Sequence, residues 1–158
     1  MTSTTSDRLA HRLALLVPAL LLGGAYISEY AFGLHPCEMC WWQRWPHFAA
    51  LALALLALRV PARRALTALA AIAILVSGAI GGFHAGVEYG WWEGITSCAA
   101  IAPAQDADPL EAIMNAPLVR CDEPAWTLFG ISLAGYNFLI SVASGLAILG
   151  LLARKRDA

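Results

Sequence analysis

Four segments of this chain carry almost no charge, and nothing else in it constrains the fold as strongly. They run from Leu13 to Ser28, Trp45 to Leu58, Ala65 to Val87 and Trp126 to Leu152. A helix that crosses a bilayer needs about 20 mainly apolar residues. The third and fourth segments reach that length alone. The first two reach it once their polar ends sit among head groups, the second being extended back to Trp41. A soluble bundle would need a charged outer face on each helix, and none of the four has one. Composition agrees, with 59% hydrophobic and 13% charged residues against about 25% charged in ordinary globular chains. The chain therefore reads as an all-α membrane protein, one domain over residues 1–158. The architecture expected is a four-helix transmembrane bundle. Its spans lie at about 11–31, 41–59, 65–86 and 126–152, with outer loops at about 32–40 and 87–125.

Orientation follows from the basic residues. Arg8, Arg12, Arg59, Arg63, Arg64, Arg154, Lys155 and Arg156 fall on one side, eight of the ten Lys and Arg in the chain. By the positive-inside rule that side is cytoplasmic, so both termini are cytoplasmic and both loops face outward. Trp41, Trp42, Trp45, Trp91, Trp92 and Trp126 gather at the opposite ends of the spans, as half of an aromatic belt. The first segment follows a short basic stretch as a signal peptide would. No convincing small-x-small cleavage site stands near Gly24 to Ser28, so it is read as a span. A net charge of -1 gives no basis for binding nucleic acid.

The stretch HPCEMCWWQRW, His35 to Trp45, puts Cys37 and Cys40 in the first outer loop. Cys98 and Cys121 fall in the second. An even number of cysteines confined to one side of the membrane suits an oxidising compartment, which in a bacterium is the periplasm. C-x-x-C has several readings. Haem attachment requires histidine after the second cysteine, and Trp41 stands there. A four-cysteine zinc site usually comes from two such knuckles, whereas the second pair here is widely spaced, and no metal is expected. A structural disulfide across so small a loop stabilises little. A working redox pair is the reading that local physics favours. Cys40 opens a helix, whose free N–H groups carry partial positive charge. Arg44 lies four residues on, on the same face. Both favour a thiolate, which is the reactive form. Arg44 also reads, more plainly, as an interfacial anchor.

In the second loop, DPLEAIMNAPL (108–118) has the marks of a short amphipathic helix lying on the membrane surface. Asp108 serves as cap, Pro109 takes the first position and Glu111 completes a capping box. His84 and Glu88, one turn apart at the outer end of the third span, could hold a cofactor or carry protons, and read equally well as plain interfacial solvation; Glu29 is similar. Asn137, inside the fourth span, reads as a hydrogen-bonding partner for a neighbouring helix. Ser77, Gly78, Gly81 and Gly82 read as close helix packing.

Taken together, four spans, C-x-x-C in the first outer loop, arginine four residues later and two cysteines in the second loop resemble the disulfide bond formation protein B family. These are bacterial inner-membrane proteins linking thiols to quinone. HAGVEYGWW and CDEPAWTLFGISLAGYNFLIS carry the likeness further. The resemblance implies a quinone-dependent protein-disulfide oxidoreductase that serves oxidative protein folding in the periplasm. Cys98 would form the mixed disulfide with a soluble thioredoxin-fold oxidase resembling DsbA, and Cys121, its partner, would exchange with Cys37. Cys40 would be the thiolate facing ubiquinone or menaquinone, with Arg44 beside it and His84 as a further cofactor-binding residue. Two other readings predict different behaviour. A non-enzymatic membrane protein would hold two inert loop disulfides. A relay of the vitamin K epoxide reductase type would carry its redox pair near a later span.

Overall fold

The computed structural model describes residues 5–96 and 119–154. The surface helix expected over 108–118, and Cys98, lie outside the described residues. Among the described residues the fold is built on four helices: α1 (Thr5–Phe32), α2 (Glu38–Leu56), α3 (Arg63–Glu88) and α4 (Leu133–Ala153). α1, α3 and α4 are long and apolar enough to cross a membrane. α3 packs mainly on α2 and α4, and α1 packs on the same two.

The faces are distributed as in a protein whose solvent is apolar. Leu16, Leu20, Ile27 and Leu146 are exposed, while His11, Gln43, Arg44, His47, Thr67, Ser77, His84 and Ser141 are buried. Inside such a bundle polar groups bond one another, because no water is present to satisfy them. All six tryptophans are exposed at the cysteine end of the molecule.

At the basic end the core is built from Ala10, Ala14, Ala50, Ala54, Ala70 and Ala71 with Ile74, Ile148 and Leu152. Small side chains let helix backbones approach closely. Two polar ties accompany them. Thr67 Oγ1 donates to the Arg63 carbonyl at 2.8 Å and takes a hydrogen bond from His11 Nδ1 at 3.2 Å. Arg64 holds Asp7 at 3.3 Å and also reaches the Leu152 carbonyl.

α2 begins at Glu38, a few residues before the start expected near Trp41, because Cys37 serves as its cap. Cys37 has extended backbone, and its sulfur accepts from the Cys40 amide at 3.3 Å. The apolar run from Trp126 does not enter the fourth helix directly. Thr127–Leu128 and Ile131–Ser132 form a two-residue-long antiparallel hairpin, β1 and β2. Its turn residues, Phe129 and Gly130, both have positive φ, 51° and 76°, the geometry of the tight primed turns that join twisted strands. Ser132 then caps α4, accepting from the Gly135 amide at 3.1 Å. The Tyr89 hydroxyl, just past α3, donates to the Gly130 carbonyl at 2.9 Å and accepts from the Ser132 amide at 2.8 Å.

Candidate active site

The three described cysteines meet at one end of the bundle, in a small core of Cys37, Met39, Val87 and Cys121 with Cys40 packed against it. Cys37, Cys40 and Cys121 are free thiols. Because Cys37 caps the helix that Cys40 enters, the two sulfurs lie 3.2 Å apart, with Cys37 donating to Cys40. That bond favours negative charge on Cys40 and a proton on Cys37. The Cys37 thiol is accordingly pushed up to about 12, first by donating to Cys40 and then by burial, with His84 opposing. Cys121 is buried, and its thiol is also raised, chiefly by burial; the Thr96 side chain and Met39 backbone oppose the shift. The sulfurs of Cys37 and Cys121 and a ring nitrogen of His84 all lie within 4.8 Å of one another.

Two hollows share Cys40 as wall. The first, about 240 Å³, is apolar, with Leu20, Leu21, Leu22 and Leu133 in its lining beside Cys40, Gln43, Arg44, His47 and Asn137. Cys40, Arg44 and His47 reach it because positions four and three apart share a helix face. The second, about 270 Å³, is lined by Cys37, Cys40, His84, Glu88, Arg120 and Glu123 among others. Cys37 lines only this second hollow.

Arg44 is not a bare cation. Its Nη1 donates to Glu29 Oε2 at 2.6 Å and its Nη2 to the Ala25 carbonyl at 3.4 Å. The guanidinium lies 4.9 Å from the Tyr26 ring centre and 4.8 Å from that of Trp41. Glu29, grouped from sequence with His84 and Glu88 as a residue for cofactor, protons or interfacial solvation, is its counter-ion. The Arg44 bonds described occupy two of its five N–H donors.

His84 stands apart from the apolar hollow and lines the second. Its Nε2 is 3.5 Å from Cys37 Sγ and 3.7 Å from Glu88 Oε1, and its Nδ1 is 2.9 Å from Gln43 Nε2. Gln43 continues into a network. Its Oε1 accepts from Asn137 Nδ2 at 2.8 Å, and Asn137 Oδ1 meets His47 Nε2 at 2.9 Å. Ser77 and Ser141 complete the set around Asn137. Asn137 thus bonds neighbouring helices, as expected. Glycine is required at 81, where a Cβ would stand 2.9 Å from Asn137 Nδ2 and 3.0 Å from the Ala134 carbonyl. Gln43 and His47 were not singled out by sequence. The available signal was the spacing 40, 44, 47 along one helix face.

The family model for disulfide bond formation protein DsbB matches residues 7–151. The disulfide bond formation protein B of Chromohalobacter salexigens is 30% identical, with 91% of each chain covered. That of Aromatoleum aromaticum is 29% identical, with 89% of each covered. An uncharacterized protein of Rickettsia prowazekii is 29% identical over 86% of this chain and 81% of its own. No solved structure matches. With Cys40 of a C-x-x-C dithiol lining an apolar hollow, a third thiol within reach of Cys37 and a family match over residues 7–151, the chain belongs to the disulfide bond formation protein DsbB family.

Proposed function

We propose that this chain forms disulfides de novo, taking electrons from a soluble thioredoxin-fold dithiol oxidase and passing them to membrane quinone. It would do so from a bacterial inner membrane, as a four-span bundle with both termini cytoplasmic and its cysteines periplasmic. The observation that carries the reading is the position of Cys40 between two hollows, one apolar and one lined by charged side chains.

The apolar hollow fits a quinone head. A cavity of about 150 Å³ accepts a benzene ring, so about 240 Å³ accommodates a substituted one. Its polar lining includes Cys40, Arg44 and His47, and of these Arg44 has N–H donors to offer a ring oxygen. When bound, quinone supplies an acceptor for two electrons and two protons. The protein's part is the complementary half. Oxidation of the Cys37–Cys40 dithiol to a disulfide releases two electrons and two protons. Cys37 holds its proton and donates a hydrogen bond to Cys40, which keeps Cys40 the more anionic sulfur on the quinone side. Arg44 offers its remaining donors where negative charge develops, and Glu29 fixes its orientation.

Recharging proceeds from the other hollow. Cys121 lies close enough to Cys37 for exchange to need little movement. A thiolate from Cys121 attacking a Cys37–Cys40 disulfide at Cys37 would release Cys40 as the leaving thiolate. The mixed disulfide with the soluble oxidase is assigned to Cys98 by resemblance to the family, and Cys121 resolves it.

The test uses purified protein, a reduced thioredoxin-fold partner and a ubiquinone or menaquinone analogue, with quinone absorbance followed over time. Partner-dependent loss of quinone is expected. Two inert disulfides and no response to quinone would establish the non-enzymatic alternative.

A further inference from the structure

Hydrogen-bond bookkeeping around Gln43 fixes the tautomers of two buried histidines, and one of them bears on what the apolar hollow prefers to hold. Gln43 Nε2 lies 3.1 Å from the Met39 carbonyl oxygen. A backbone carbonyl only accepts, so this end of the Gln43 amide is its NH₂ and the other end is its oxygen. The second hydrogen of that NH₂ points to His84 Nδ1, which must accept, so in neutral His84 the proton sits on Nε2, towards Cys37. The Gln43 oxygen in turn needs a donor, so Asn137 presents its NH₂ there and to Ser77. Asn137 Oδ1 is left facing His47 Nε2 and the donating Ser141 hydroxyl. His47 Nε2 must therefore carry hydrogen, and in the neutral ring Nδ1 is a bare lone pair.

That lone pair is unusual. His47 is 3% exposed, it lines the apolar hollow, and its Nδ1 has no partner among the described residues. Buried polar atoms are almost always bonded, and an exception at a cavity wall asks for a ligand. An acceptor offers nothing to a quinone carbonyl, which is itself an acceptor. It matches a ligand O–H.

We propose that His47 Nδ1 accepts a hydrogen bond from a ring hydroxyl in the apolar hollow, so that the site holds hydroquinone more tightly than quinone. The proposal rests on the quinone reading above and assigns the site a preferred redox state. Satisfying one buried acceptor corresponds to a preference on the order of tenfold. By linkage, a tenfold preference for the reduced form raises the potential of a bound two-electron couple by about 30 mV. Holding the product more tightly would thus draw electrons from the dithiol.

Two measurements on the full-length protein in detergent test this. Pro46–His47 is the only Pro–His pair in the chain, so ¹³C-proline with ¹⁵N-histidine labelling identifies His47 in the parent protein without substitution. The spectrum should show Nδ1 unprotonated and Nε2 protonated. Adding a short-chain hydroquinone should move the Nδ1 signal, and its dimethyl ether should not. A protonated Nδ1, or equal responses to both probes, overturns the proposal. For binding, reduced protein should take the hydroquinone about tenfold more tightly than the ether, and His47→Phe should bring that ratio within about twofold of unity. If both probes bind and the substitution leaves the ratio unchanged, the assignment of His47 fails while the quinone site stands. If neither probe binds the parent, both readings fall.

Discussion

The two ends of the bundle are held together by different means. At the basic end six buried alanines let the helices close on one another, and polar ties are few. At the cysteine end the same helices part to enclose Gln43, His47, Ser77, His84, Asn137 and Ser141, joined through hydrogen bonds across three helices. Alanine packing is tolerant in kind, since any small apolar residue serves. A hydrogen-bond network is not, because each member needs a donor or acceptor of the right sense. The described cysteines and both hollows lie where the packing is exacting, and the other end forms a base.

The strongest test of that division is at Cys40. Cys40→Ala should lower quinone-dependent turnover on the order of a thousandfold or more, while single-turnover exchange through Cys98 persists. Cys121→Ala should instead trap a mixed disulfide between Cys98 and the soluble partner, visible on a non-reducing gel. Trapping through Cys37 with Cys98 dispensable contradicts the order of transfer.

Arg44→Ala should reduce quinone turnover about a hundredfold, with lysine in between because it keeps charge without the planar fork. Thiol exchange with the partner should be nearly unchanged. If turnover of well-folded Arg44→Ala equals that of the parent, Arg44 is an anchor and nothing more.

A matched pair of glycines separates the two ends by packing alone. Gly81→Ala drives a methyl into Asn137 and the Ala134 carbonyl, and should cost about 1–3 kcal/mol of stability. Gly150→Ala, towards the other end of α4, meets nothing within 4 Å and should leave the melting temperature close to that of the parent. Equal losses in thermal melts would erase the distinction.

The smallest effect concerns protons. With the Cys37 thiol raised to about 12, its thiolate fraction is negligible at neutral pH and grows until the pH passes that value. Alkylation of Cys37 should therefore keep rising with pH beyond the range of an ordinary thiol, and at pH 8 should run markedly slower than for a free cysteine. The main cause is the bond to Cys40, so Cys40→Ala should move the profile back towards normal. A plateau near pH 9 in the parent protein would show that the bond has no such effect.

The helices were legible because length and lack of charge are carried by many residues at once. α1, α3 and α4 are long and apolar where the uncharged segments predicted it. The hairpin before α4 was not, since an apolar run such as Trp126 to Ser132 reads alike as strand or helix; Gly130 was the only hint of a turn. The early start of α2 was hidden because cysteine is not among the usual caps. Within the site, spacing along one helix pointed to Cys40 and Arg44. The pairing of Arg44 with Glu29 and the approach of His84 to Cys37 join residues 15 and 47 positions apart, and no local pattern records such distances. The polar network is more remote still. Gln43 and Asn137 stand 94 positions apart, and each alone looks like an isolated polar residue in an apolar run.

The Tyr89 hydroxyl, bound to both Gly130 and Ser132, sets the rotational phase of α4. Each helical residue advances the side-chain direction by about 100°, and Asn137 lies five residues beyond Ser132, roughly 7.5 Å along the axis. A slip of one residue at the hairpin would swing the Asn137 amide away from Gln43 and His47 while leaving the helix itself intact. The tyrosine thus acts as an index pin: its hydroxyl is spent on Gly130 and Ser132, yet it decides which way the amide between the two histidines faces.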